Sequence, residues 1–191
     1  MIWLVVGLIL FFVPHSVGIF ALQWRNHMAQ RMGLSVWKIL FALISAAGLA
    51  LMIYGYSEYR VQAPLWYTPL SAMRHLAFLL MPVALIAMLA SVFRGWLQRT
   101  LKHPLLVAVK IWALVHLLNN GDAASVILFA SFLLWAVLMR ISLKRRGGGR
   151  PVPSIDLSFA GDWLAVVGGV AASYWLAYGN GHGLLFGVPI I

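Results

Sequence analysis

The sequence predicts an all-α fold, a polytopic transmembrane bundle of about six helices with both termini on the non-cytoplasmic side. Hydrophobic residues make up 63% of the chain and charged residues 9%, against roughly 25% charged in a soluble domain. Six apolar stretches of about 15–22 residues cover most of its length, and about 20 apolar residues cross a hydrocarbon core. The basic residues gather in alternate connections. Because the stretches are continuously apolar and do not alternate in and out, they read as helices and not as barrel strands. The whole chain, 1–191, reads as one transmembrane domain.

The first span is expected over Ile2 to Leu22. It should be retained, because a signal peptide carries its positive charge before the apolar run, and here Arg25 follows it. The second covers Val36 to Tyr56, where Ala46, Ala47, Gly48 and Ala50 permit close helix contact. The third covers Leu70 to Phe93, the fourth Pro104 to Leu118 and the fifth Ala123 to Met139. The fourth and fifth are short, so a hairpin turning back at Asn119, Asn120, Gly121 and Asp122 without crossing fully is the alternative. The run from Lys144 to Arg150, with Gly147, Gly148 and Gly149, reads as a flexible linker and does not have the spacing of a P-loop. The sixth span covers Phe159 to Tyr178, with Gly168 and Gly169 available for close packing.

Charge sets the orientation. Arg25, Arg31 and Lys38 follow the first span, Arg94, Arg99 and Lys102 the third, and Arg140, Lys144, Arg145, Arg146 and Arg150 the fifth. Glu58, Arg60 and Arg74 lie between the second and third, and Asp122 alone between the fourth and fifth. Lys and Arg stay cytoplasmic, so the connections after the first, third and fifth spans face the cytoplasm and the sparsely charged ones face the other side. The net charge of +10 therefore belongs against anionic headgroups and not on nucleic acid. Trp3, Trp24, Trp37, Trp66, Trp96 and Trp163 fall near span ends, where tryptophan anchors at the interface. There is no cysteine to form a disulfide or a thiolate ligand.

Ionisable groups inside apolar helices are costly and carry the functional signal. His27 and His103 lie at the cytoplasmic boundary and His182 follows the sixth span near the outer surface, whereas His15, His75 and His116 lie inside apolar segments. His15 stands roughly 12 Å from the inner end of its span and His116 roughly 18 Å into its own from the same side. Each has a small residue one turn away, Gly18 and Ala113, which would clear a flat macrocycle held between two imidazoles. The plainer reading has each histidine hydrogen-bonded to a neighbouring helix. His75 competes for the pairing with His116, and Arg74 beside it would suit a propionate or would snorkel to the headgroups. Trp112 shares the face of His116 and would pack either on a ring cofactor or in the core.

The stretch Lys102-His103-Pro104-Leu105-Leu106, then Lys110 to Leu118, then Asn120-Gly121-Asp122 resembles the signature of the NnrU family of bacterial membrane proteins. Pro14-His15-Ser16 with Trp24-Arg25, Arg74-His75-Leu76, and His182-Gly183-Leu184-Leu185-Phe186-Gly187-Val188-Pro189 resemble it in order over essentially the whole chain. The resemblance implies a multi-pass protein of the bacterial inner membrane with a role in nitrite and nitric oxide metabolism during denitrification. That family is similar to the zeta-carotene isomerase of plants and cyanobacteria, a haem b enzyme. On that similarity the metal ligands are His15 and His116, while Gly18, Trp112, Ala113, His75 and Arg74 are the further candidate cofactor-binding residues that helix spacing offers. Where the isomerase has a cysteine before the second ligand, this chain has Ala113, which puts a thiolate exchange in doubt.

The expected function is a haem b protein supporting nitrogen oxide metabolism by redox, sensing or assembly, with no catalytic residue assigned. Its expected partners are the bilayer, haem, nitric oxide or a lipophilic small molecule, and another membrane protein. The alternatives are a haem-dependent isomerase of a lipophilic, carotenoid-like substrate and a membrane methyltransferase. His103-Pro104 is similar to the motif of the isoprenylcysteine methyltransferases, but the apolar end Leu184 to Ile191, with only Asp156 and Asp162 nearby, does not match their acidic C-terminal segment.

Overall fold

A computed structural model describes residues 1–147 and 159–187. These form α1 (Ile2–Phe20), α2 (Leu22–Met32), α3 (Leu34–Arg60), α4 (Ala72–Ala90), α5 (Trp96–Leu101), α6 (Pro104–Asn119), α7 (Ala123–Arg145), α8 (Phe159–Tyr178) and α9 (Gly181–Phe186). Five of them, α1, α3, α4, α7 and α8, are long and apolar enough to cross a membrane. The sixth expected span, α6, is apolar but has 16 residues, about 24 Å at 1.5 Å per residue. Large side chains such as Leu43, Ile53, Leu79 and Leu134 are exposed along these helices, as a surface solvated by lipid requires.

Two boundaries differ instructively from the sequence expectation. The first span stops at Phe20 because Ala21 (φ −136°, ψ 46°) leaves the helical region. Beyond it α2 is a separate helix in which Leu22, Arg25, Met28, Ala29 and Met32 are partly covered at helical spacing while Gln23, Asn26, His27 and Arg31 are exposed. Trp24 of α2 meets Trp37 of α3 edge to face at 5.9 Å. At the other end, α7 continues to Arg145, so Lys144 and Arg145 are helical and not part of a flexible linker. Gly148, Gly149 and Arg150 lie outside the described residues.

The chain divides into two compact units, Met1–Pro69 with Asn120–Gly148, and Leu70–Asn119 with Gly149–Ile191. In the first, α1 lies antiparallel on α3, with α7 packed against both. The backbones approach so closely that a Cβ on Gly7 or Gly55 would collide with the main chain of Met52 or Leu4, and one on Gly48 would sit 2.6 Å from Phe11 N. Small residues are what permit such helix contact. Ala46, Ala47 and Ala50, expected to share this role, are exposed, and of that group only Gly48 is buried in the contact. Leu4, Leu8, Met52 and Ala124 form the core, with Phe11, Phe12 and Phe132 against it. The fully buried Ser125 shares a 2.9 Å hydrogen bond with the Tyr56 hydroxyl.

One end of this unit is tied by its loops. The amides of Trp66 and Ala123 donate to Gly121 O (2.8 Å) and Pro64 O (2.9 Å), and the Asp122 carboxylate accepts from Ser125 N, capping α7. A Cβ at Gly121 would overlap the Tyr67 carbonyl. Burial, and then the Asp122 carboxylate, push the Tyr67 phenol up, so it stays protonated and donates to Asn120 O at 2.9 Å.

In the second unit α4 packs on both α6 and α8. Ala84, Ala87 and Ala90 of α4, Ala108 and Ala113 of α6 and Ala165 of α8 are all buried, as are Leu106 and Val115. Asn119 Nδ2 donates to Met73 O (3.1 Å) and Val115 O (2.8 Å), fixing α6 against the start of α4. The use of Asp162 is visible only in the fold. Its carboxylate accepts from the amides of Trp96 and Leu97, both at 2.9 Å, and so caps α5 from another helix. Asp162→Ala is expected to cost about 1–2 kcal/mol locally. Hydrogen exchange at the Trp96 and Leu97 amides should then quicken about 5–30-fold, and unchanged exchange would show that the cap carries no load.

Candidate histidine sites

His15 and His116 share one local device. Each sits in an apolar helix with its Nδ1 aimed at the carbonyl four residues earlier, Phe11 O at 2.6 Å and Trp112 O at 2.8 Å. A carbonyl only accepts, so Nδ1 carries the proton in both rings and the lone pair is left on Nε2. Metal-binding histidines are fixed in the same way, by a hydrogen bond from the second ring nitrogen.

Their surroundings are described within their own units. In the first, the half-buried His15 ring stacks on Phe11 (4.2 Å, 21°) and packs against Phe41 (4.8 Å) and Trp135 (5.8 Å, 86°). The Trp135 indole nitrogen and the Ser45 hydroxyl are buried without a hydrogen-bond partner. Because α1 ends at Phe20, His15 stands about 7.5 Å from that end, nearer than the expected 12 Å. A Cβ at Gly18 would meet nothing within 4 Å, so there is open space beside it.

In the second unit His116 lies against Trp112 (5.3 Å, 49°) and above Ala113, which is completely buried in the helix packing. The residue brought to its ring is His182, with centroids 6.3 Å apart and planes 19° from parallel. His182 was expected merely at the outer surface; it is half-buried and flanked on α9 by Phe186 at 4.9 Å. The signal that could have found it is Gly179-Asn180-Gly181, a turn sequence that reverses the chain after α8. Arg74 and His75, in the first turn of α4, are exposed. His103 serves through its backbone, its carbonyl accepting from Leu106 N (3.0 Å) and Val107 N (3.2 Å) at the start of α6.

Five helices long and apolar enough to cross a bilayer, one of them holding His15, and a shorter apolar helix holding His116 define a multi-pass membrane protein with histidine-based candidate sites. The chain belongs to the NnrU family, whose model, described as NnrU protein, matches residues 3–190. No curated protein and no solved structure matches it.

Proposed function

We propose that this NnrU protein is a haem b protein of the bacterial inner membrane that supports nitrogen oxide metabolism in denitrification, by redox, by sensing nitric oxide or by assisting assembly of a reductase. The observation that carries this reading is that Nδ1 of both His116 and His15 lies within hydrogen-bond distance of the backbone carbonyl four residues earlier, the kind of second-nitrogen bond that orients metal-binding imidazoles. Among the described residues no three His, Asp or Glu side chains gather to hold a bare ion. Two imidazoles are a complete protein ligand set only where other donors come from elsewhere, as from the four nitrogens of a porphyrin. His116 is the anchoring ligand in this proposal, and the family resemblance gives the second place to His15. The iron supplies the redox and diatomic-ligand chemistry, while the chain orients the imidazoles and surrounds them with apolar and aromatic groups.

The test is an absorption spectrum of the detergent-purified protein, oxidised and reduced. A Soret band with sharp reduced alpha and beta bands is expected. A colourless protein from cells fully supplied with haem would overturn the reading.

The second reading, a haem-dependent isomerase of a lipophilic substrate, has in its favour a shallow, largely open apolar depression between α1 and α7. Leu8, Phe12 and Ile127 line it, with Ser16 next to His15. Ligand exchange on reduction of the iron would favour that reading.

The proposed orientation, with both termini outside, rests on the basic connections. A reporter fused after Ala29 should report cytoplasm and one after Asn120 the outer side. A cytoplasmic signal at Asn120 would mean that α6 does not cross.

A further inference from the structure

We infer that Trp135 and Ser45 anchor a propionate carboxylate of the haem beside His15. The inference rests on the haem reading proposed above and deepens it, since it says how the first unit grips the group that His15 ligates.

Two side-chain atoms of that unit, Trp135 Nε1 and Ser45 Oγ, are buried with no hydrogen-bond partner among the described residues. Both stand at the level of His15. The Trp135 and His15 rings meet edge to face at 5.8 Å. Along the contact of α1 and α3, Gly55 lies against Leu4, Gly7 against Met52 and Gly48 against Phe11, a register that sets Ser45 across from Pro14. Ser45 is also used differently from other helix serines. Ser131 of α7 and Ser173 of α8 each donate to the carbonyl four residues earlier, at 2.6 and 2.7 Å. Ser45 makes no such bond, and a buried donor left unmade is costly.

An indole N–H only donates, so the partner that Trp135 calls for is an acceptor. His15 does not supply it, because its Nδ1 faces Phe11 O at 2.6 Å and its Nε2 is the atom proposed to bind iron. The four pyrrole nitrogens of haem b are spent on the iron, which leaves its two propionate carboxylates as acceptors. Charge agrees. The acidic residues of the first unit, Glu58 and Asp122, lie toward its other end. Lys38 stands two turns before Ser45 on the same face of α3, and Arg140 stands five residues beyond Trp135 on α7. Arg74, expected from the sequence to suit a propionate, belongs to the second unit and is exposed.

The experiment uses the full-length haem-loaded protein in detergent, as wild type and as Trp135→Phe, Ser45→Ala, Ser131→Ala and Arg74→Gln, each checked for helicity and a single elution peak. Phenylalanine keeps an aromatic ring and deletes the donor. The propionate bending bands of the resonance Raman spectrum should shift in Trp135→Phe and in Ser45→Ala, which a purely structural role would not cause. Haem release should quicken roughly tenfold in each, and the midpoint potential should fall as the carboxylate charge is less well compensated. Ser131→Ala and Arg74→Gln should leave all three readouts unchanged. Reconstitution with haem whose propionates are methyl esters should narrow the difference in release rate between wild type and Trp135→Phe.

Wild-type propionate bands in both Trp135→Phe and Ser45→Ala, the result that a bridging water alone would give, overturn the inference. So does a shift produced by Arg74→Gln alone. The two readings fail separately: a coloured wild type with unaltered variants sinks the propionate anchor and leaves the haem reading standing, whereas a colourless wild type sinks the haem reading and the anchor with it.

Discussion

His116→Ala is expected to lower haem content at least tenfold while leaving the protein in the membrane at near wild-type levels. The substitution removes the one ring shared by every ligand pairing considered above. A tenfold loss needs only about 1.4 kcal/mol, less than an axial bond is expected to supply. Insertion should survive, because it depends on the hydropathy of the segments and on internal backbone hydrogen bonding, not on the cofactor. The truncated side chain leaves a void beside the buried Ala113, a packing loss confined to one position of α6. Haem per protein, measured as the pyridine haemochromogen, reads the result directly. Undiminished haem in His116→Ala would remove His116 as the anchoring ligand and leave the haem reading to be carried by other residues.

Gly55→Leu should have the largest effect on the fold. A Cβ there already collides with the backbone of Leu4, so α1 and α3 cannot keep their separation, and neither main chain can swing aside as a side chain would. Overpacking typically costs about 1–3 kcal/mol, and a clash of backbone against backbone belongs at or above the top of that range. Gly18→Ala is the control. With nothing within 4 Å of its Cβ, it should be neutral or add the about 0.5–1 kcal/mol by which alanine exceeds glycine inside a helix. Unfolding in mixed micelles followed by circular dichroism compares the two. Equal midpoints would mean that α1 and α3 are not held at this contact.

Hydropathy made the long helices legible, since a run such as Phe159–Tyr178 must be covered or lie in lipid whatever its neighbours are. Periodicity could not say which helix packs on which. The turn at Asn119–Asp122 was readable from its residues, but the close fit of Gly121 on Tyr67 O depends on a contact more than fifty positions away. Asp162 looked like an isolated acid near the start of a span, and only folding brings it to the amides of Trp96 and Leu97. The histidines divide in the same way. His15 and His116 stood out because a polar ring inside an apolar helix is costly. His182 did not, because it follows the last long run, and it reaches His116 through the Gly179-Asn180-Gly181 turn.

The division into units that interleave along the chain has a consequence for biosynthesis. When the ribosome has completed Asn119, the first unit still lacks α7 and the second still lacks α8. The glycine faces of α1 and α3 can meet early, yet Phe132 of α7, which packs on Phe12 of α1, is made only after α4 and α6 have left the ribosome. A nascent chain halted near that point should therefore hold two unfinished bundles. Such a chain is the form on which a membrane chaperone or quality-control protease would be expected to act.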